Sequence, residues 1–339
     1  MSDKTVTGVW IRFPALAVIA AILLAGCITL PPATVTPAQG HATPADQTPA
    51  SARPSGARLV IYAPATPSSI PVLLAARQMG DAEVTIFANQ AQANALFVRG
   101  DVDILVTGLS VGVDLFKNGA PVQVANSYVA GLTYLVTYGK PVGSFTELKG
   151  KEVYIPFEGS PIDEITQFFV ASEGLTWKTD IQPVYLPFAS SVELLKQGKA
   201  TAVALPEPYV SLIEGQPNLF ISLDYRARWD ALTGAQNGYP QVGSLIRRDW
   251  AAAHGDVIAR FNAAMAAALS TIAQDPAAAV AQTQAQMGLP TEVLRASLAR
   301  TDFAFTQADE MAQDIQGYYR TIGRPLDETY GPFFYRGAQ

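Results

Sequence analysis

The stretch Phe97–Val122, FVRGDVDILVTGLSVGVDLFKNGAPV, decides the fold. Val102–Thr107 is a short apolar run rich in β-branched side chains and reads as a buried strand. A Gly-Leu-Ser turn follows, then a helix opened by Ser110 and ending near Gly119. Val122–Ser127 reads as the next strand. A strand, a tight loop, a helix and another strand in so short a span is the layout of a crossover between parallel strands.

The same alternation runs outward in both directions. Upstream, Arg58–Tyr62 is a strand and Ala63–Ser69 a Pro/Ser/Thr loop. A helix spans about Ile70 to Met79 with Gly80 after it, Glu83–Phe87 is a strand and Gln90–Val98 a helix. Downstream, Leu132–Tyr138 is a strand, after which the pattern restarts with a helical turn at Thr146–Gly150 and a strand at Glu152–Pro156. Ser160 and Asp163 then form a capping pattern, and Pro161 suits a first helical position. Ile162, Ile165 and Phe169 share one face of that helix, which Gly174 ends. Pro183–Leu186 is a strand, Ser190 and Glu193 cap a short helix, and Thr201–Leu205 is a strand running into Pro206-Glu207-Pro208. The last hundred or so residues read as mostly helical, with Asp249, Asp275, Thr291 and the pair Thr306/Asp309 as caps. The fold class is therefore α/β.

Composition narrows the function. The chain is 49% hydrophobic and 15% charged, enough to build a large core, and its formal charge is −6. An acidic balance argues against nucleic acid, whose phosphates demand a basic surface. The only cysteine is Cys27, and the two histidines are His41 and His254. That inventory leaves no disulfide, no Cys/His nucleophile pair and no His/Cys metal cluster.

Cys27 carries its own message. Lys4 and Arg12 precede an apolar stretch, Phe13–Leu24, which ends in Leu24-Ala25-Gly26-Cys27. A basic segment, an apolar segment and small residues before a cut are the marks of a secretory signal. With a cysteine just after the cut, the segment resembles a bacterial lipoprotein signal, which makes 1–26 a signal peptide and Cys27 the lipidated mature terminus. The alternative, an uncleaved spanning anchor, needs about 20 apolar residues and the stretch is shorter. Residues 27–56 are rich in Pro, Thr, Ala and Ser and read as a tether, because such a segment buries too little surface to offset its ordering entropy. The expected location is the extracytoplasmic face of the cell membrane, held by lipid.

Three strand ends lead through short loops to a Ser or Thr at a helix start: Ser68/Ser69, Ser110 and Ser160. In open α/β sheets, ligands sit outside the carboxyl ends of the strands, where helix N-termini present free N–H groups. Serine also caps helices with no ligand nearby. Three serines at the same topological place point to a site. The candidate ligand-binding residues are Tyr62, Thr66, Ser68, Ser69, Thr107, Ser110, Tyr134, Phe157, Glu158, Ser160, Glu207 and Tyr239.

Three stretches carry a family resemblance: 97–122, FTELKGKEVYIPFEGSPIDE (145–164) and LLKQGKATAVALPEPYV (194–210). In that order they resemble the substrate-binding proteins of ABC importers with the type II periplasmic-binding-protein fold, in the group of nitrate, sulfonate, taurine, thiamin-pyrimidine and riboflavin binders. The resemblance implies two lobes, each with a mixed, mostly parallel sheet, and a ligand cleft at the hinge. Lobe 1 is expected over 57–138 plus 239–339 and lobe 2 over 139–238, with crossings near Thr137–Lys140 and Asn237–Val242. It implies a small-molecule ligand, permease and ATPase partners, a monomer, no cofactor, no metal and no catalysis.

The candidate loops hold no Arg or Lys, which argues weakly against an oxyanion, although helix N-termini can suffice. Tyr62, Tyr128, Tyr134, Phe157, Phe188, Tyr209 and Tyr239 stand at or near the loops and hinge, and rings suit a flat heteroaromatic ligand. Glu158 and Glu207 offer acceptors for its N–H or hydroxyl groups. The expected ligand is a vitamin-like heterocycle, riboflavin first and the thiamin pyrimidine precursor next, with sulfonate, taurine or nitrate as the alternative. From another class, a non-transport scaffold lipoprotein would present an exposed apolar patch instead of a cleft.

Overall fold

The structure is a computed structural model and describes residues 58–337. The signal segment, Cys27 and the tether lie outside the described residues. No helix among the described residues is long and apolar enough to cross a membrane.

The first half begins β1 (Leu59–Pro64), α1 (Ser69–Met79), β2 (Ala82–Phe87), α2 (Gln90–Arg99), β3 (Ile104–Gly108), α3 (Leu109–Lys117) and β4 (Val122–Gly131). Strand β1 alternates buried and half-buried residues, as a strand with two unequal faces must. Helix α1 ends where expected because Gly80 takes the left-handed conformation, φ 76°, that a side chain disfavours. The chain continues through β5 (Thr133–Tyr138), a 3₁₀ turn at Phe145–Leu148, β6 (Glu152–Ile155), α4 (Pro161–Ser172), β7 (Gln182–Tyr185), α5 (Phe188–Lys196), β8 (Ala202–Pro206), α6 (Tyr209–Ile213), β9 (Leu219–Asp224) and α7 (Tyr225–Thr233). It ends with β10 (Val242–Arg247), α8 (Arg248–Ala253), α9 (Gly255–Gln274), α10 (Pro276–Met287), α11 (Thr291–Ala299), β11 (Asp302–Gln307), α12 (Ala308–Thr321) and a 3₁₀ turn at Glu328–Phe333.

Two sheets result, one ordered β11-β4-β10-β3-β1-β2 and the other β7-β6-β8-β5-β9. In the first, β1, β2 and β3 are parallel, while β10 lies antiparallel between β3 and β4, and β11 runs antiparallel to β4. In the second, β6, β7 and β8 are parallel and β5 lies antiparallel between β8 and β9. Each sheet is thus mixed and mostly parallel, as expected.

The reversed strands have a geometric cause. Strand β4 ends at Gly131 and β5 begins at Thr133, so the chain passes from sheet to sheet through Leu132 alone. It leaves the carboxyl edge of one sheet and enters the carboxyl edge of the other, so β5 must run away from that edge. The return obeys the same rule, since Val242 at the start of β10 pairs with Gly108 and Val129, the carboxyl ends of β3 and β4. This corrects the expected first crossing. Thr137–Lys140 lies at the far end of a strand already hydrogen-bonded into the second sheet, and the crossing is at Leu132.

Gln241 fastens the two crossings together. Its side chain accepts from Leu132 N at 3.3 Å and donates to Thr133 Oγ1 at 2.7 Å, while its backbone N–H donates to Val129 O at 2.9 Å.

Several expected caps move by a residue or more. Helix α5 starts at Phe188 behind Pro187, so Ser190 lies inside it. Helix α8 starts at Arg248 and stops before His254, which separates it from α9, and no side chain caps it, so Asp249 is not its cap. Thr291 is the first residue of α11, behind Pro290. Thr306 belongs to β11, a strand that the helical reading of this region missed. Asp275 does cap α10, accepting from Ala278 N at 2.9 Å.

The core has three parts. Helices α1 and α9 cover one face of the first sheet with Ile70, Ile258, Phe261 and Met265. Val192, Leu195, Val203, Leu205 and Ile213 fill one face of the second. A third cluster joins the two sheets and is dominated by large rings, including Phe169, Tyr225, Trp229, Tyr239 and Tyr318.

Candidate functional site

The candidate loops leave the carboxyl ends of β1, β3, β6 and β8. The loop after β1 satisfies itself. Thr66 Oγ1 and Ser68 Oγ are 2.6 Å apart, and the Ser69 hydroxyl donates to Pro64 O. Ser68 precedes α1 with helical dihedrals, φ −58° and ψ −21°, and its side chain caps nothing. Buried Tyr128 donates its hydroxyl to Ser68 O at 2.8 Å, and burial holds that phenol well above its usual range. Tyr62 is half-buried on β1.

The loops after β3 and β6 meet. Gly108, not Ser110, precedes α3, because Leu109 is already helical. Ser110 is freed from capping and donates to Gly159 O at 3.0 Å, from an element of the first sheet to one of the second. The approach is close enough that a Cβ on Gly108 would stand 2.3 Å from Pro161 Cγ. Thr107 is buried and donates to Gln90 Oε1 at 3.1 Å.

At the start of α4 the capping pattern forms as expected. Ser160 Oγ accepts from Asp163 N at 3.1 Å, and Asp163 Oδ2 accepts from Gly159 N at 2.9 Å. Just before it, Phe157 is 40% exposed, unusual for a ring of its size. Glu158 is exposed and pairs with Lys178 Nζ at 2.6 Å.

Glu207, after β8, is fully buried. Its Oε2 accepts from Ser211 N at 3.1 Å, while its Oε1 has no hydrogen-bond donor and lies 3.6 Å from Arg300 Nη1. Burial raises its carboxyl and Arg300 opposes that rise. Arg300 also binds Ser211 Oγ at 3.1 Å and pairs with Glu214, and Tyr134 donates to Arg300 O at 3.0 Å. Nearby, the Phe188 and Tyr209 rings stand 5.1 Å apart at the starts of α5 and α6.

The structure therefore brings together Ser110 with the Phe157–Ser160 loop, and Tyr134 with Glu207. It draws Tyr239 into the shared core. That ring is 1% exposed and packs against Trp229 and stacks on Tyr318 at 5.9 Å. The expectation of cation-free loops holds for the loops themselves, but Arg300 and Lys178 reach Glu207 and Glu158 from elsewhere in the chain. No local signal announces either, because the pairing is made only by the fold. Two cavities of about 410 Å³ lie elsewhere, around Gln123, Asn262 and Tyr335–Gly337, and one of about 250 Å³ lies over β5 and β9.

No family model and no curated protein matches the sequence. Solved structures match its fold. The periplasmic aliphatic sulphonate-binding protein SsuA from Escherichia coli superposes with a TM-score of 0.68 at 21% identity, over 84% of this chain and 94% of that one. A zinc-bound ligand-binding component of an ABC-type import system from Staphylococcus aureus gives 0.67 at 13%, over 82% and 96%. The nitrate-binding protein NrtA from Synechocystis PCC 6803 gives 0.61 at 15%, over 70% and 68%. The chain thus shares its fold with these three binding proteins.

Proposed function

We propose that this protein is the solute-binding component of an ABC importer, capturing a small molecule without chemical change and passing it to a membrane permease. The observation that carries the reading is the meeting of the β3–α3 and β6–α4 loops at the carboxyl edges of both sheets, where ligands sit in such folds. The two sheets act as two lobes, divided at Leu132 and near Tyr239, and closure about Gln241 buries the ligand. Cys27 carries the lipid and residues 27–56 the tether. Cys27→Ala should release the protein from membranes, and continued membrane retention would favour a spanning anchor.

The ligand we favour is a flat heterocycle, riboflavin before the thiamin pyrimidine precursor. Exposed Phe157 and the Phe188–Tyr209 pair supply ring faces, and Glu158 and Glu207 supply acceptors. Sulfonate or nitrate is the second reading, because similarly folded proteins bind them. Against it stands the engagement of Arg300 by Glu207 and Glu214, which leaves that guanidinium committed to carboxylates.

The test is titration of riboflavin against its own fluorescence, alongside thermal shift with alkanesulfonates. Saturable quenching supports the flavin. A melting shift with sulfonate alone reverses the choice, and no shift with any small solute favours the scaffold reading.

A further inference from the structure

One of the cavities away from the candidate site has a charge opposite to that of the chain. It measures about 410 Å³ and is lined by Gln123, Arg248, Ala251, Phe334, Tyr335 and Arg336, among others. Two arginines line it and no acid does, in a chain whose formal charge is −6. Arg248 is exposed, and its side chain has no partner among the described residues. Arg336 donates its Nε–H to Asp309 Oδ1 at 2.6 Å, which leaves its two terminal nitrogens, and Asp309 does not line the cavity.

The sheet fixes the walls. Val122 at the start of β4 pairs with Arg247 at the end of β10, so Gln123 and Arg248 come from neighbouring strand ends. Arg248 N donates to Pro121 O at 2.7 Å. The last described segment lies along the same end of β4, with Tyr335 N donating to Val124 O at 3.0 Å and Gln123 Nε2 donating to Pro332 O at 3.0 Å. This is the amino edge of the first sheet, since Ile246 pairs with Ile104 and Ile104 with Ile61. Strand β1 enters at that edge, at Leu59. The candidate solute site is at the carboxyl edge, so the cavity has no part in it.

Chemistry narrows the occupant. Two like charges lining one cavity repel unless a counter-charge joins them. A guanidinium fork matches phosphate oxygens, and the several oxygens of one phosphate can bond two arginines at once. The apolar lining of Ala251, Pro332 and Phe334 suits the carbon of an ester rather than a bare ion. The volume is that of a small-molecule pocket.

We propose that this cavity is a second binding site, for the phosphate of a phosphate ester, supplied by a soluble compound or by the headgroup of a membrane lipid. The headgroup source rests on the reading that Cys27 holds the chain at a membrane, and the soluble source does not.

The test uses the full-length chain with Cys27→Ala and Ala253→Cys, the latter an exposed position at the end of α8 that carries an environment-sensitive dye. The chain is titrated with glycerol 3-phosphate, and separately mixed with vesicles of phosphatidylcholine with and without phosphatidylglycerol, at matched ionic strength. The expected result is a saturable dye response to the phosphate ester and none to sodium chloride. Arg248→Gln and Arg336→Gln should each weaken it about fivefold, the worth of one arginine at an anionic phosphate surface. Asp309→Asn, which removes the carboxylate from Arg336, should keep it. A response to glycerol 3-phosphate alone assigns the soluble source, and one to phosphatidylglycerol that glycerol 3-phosphate does not reproduce assigns the lipid. An equal response to chloride, a response unchanged in both arginine variants, or none to either phosphate source overturns the site. The soluble titration needs no membrane, so failure of the anchor reading leaves its outcome intact.

Discussion

The two sheets are built on one plan and finished differently. Each winds parallel strands and reverses the strand on which the chain arrives from the other sheet, β10 in the first and β5 in the second, and the first also carries β11 reversed at its edge. The loops at their carboxyl edges diverge. Those of the first sheet carry Ser and Thr whose hydroxyls are consumed by neighbours in the chain or across the junction. Those of the second carry an exposed ring, an exposed acid and a buried acid. The comparison teaches that the loop hydroxyls of the first sheet are already satisfied, while the second sheet keeps a buried acceptor without a donor, Glu207 Oε1.

The strongest way to break the comparison is to remove what holds the sheets together. Trp229 contacts Phe168, Tyr239 and Tyr318 in the shared core. Trp229→Ala should cost about 3–5 kcal/mol in denaturant unfolding. A loss below 1 kcal/mol would mean that the two sheets do not rely on that core.

Next comes the contact between the loops. Gly108→Val places side-chain carbon where Pro161 already sits, and overpacking of this kind costs about 1–3 kcal/mol. The cost should fall on the closed arrangement, so ligand affinity should drop more than the melting temperature. Equal loss of both would make the contact ordinary core.

A sharper test pairs two caps of the same chemistry. Ser160→Ala and Asp275→Ala each remove an N-cap acceptor and should each cost about 1 kcal/mol. Calorimetry should show similar stability losses, while solute affinity should change only for Ser160→Ala. Unchanged affinity there reduces Ser160 to a cap.

The smallest expected effect on stability is at Phe157. It is 40% exposed, so Phe157→Ala should shift unfolding by less than the core substitutions, about 0.5 kcal/mol. Riboflavin quenching should nevertheless weaken severalfold, about 1 kcal/mol of stacking. Wild-type affinity in this variant would remove the ring from the site.

Much of this was legible in the chain. Strands β1 to β8 follow from short apolar runs between turn signals, and α1, α4 and α10 from Gly80, Ser160–Asp163 and Asp275, because these signals act within one turn. Other features depend on residues far apart. Strand β11 is polar enough to pass for a helix start, and only pairing with β4 makes it a strand. Ser110 looked like a cap because serine before a helix usually is one, but the backbone turned two residues earlier and gave its hydroxyl to Gly159. Tyr239 looked like a hinge ring because it stands near a crossing, and packing against Trp229 and Tyr318 took it inside.

By itself the sequence determined the α/β class, the alternation of elements, the local caps and an acidic chain whose cysteine and histidine inventory rules out Cys/His chemistry, because each depends on side-chain type and short-range spacing. The tertiary structure decided which strand runs backwards, where the chain crosses between sheets, and which charges meet. Those outcomes depend on the edge at which a strand enters a sheet, and on arginines such as Arg300 and Arg324 reaching carboxylates more than eighty residues away in sequence.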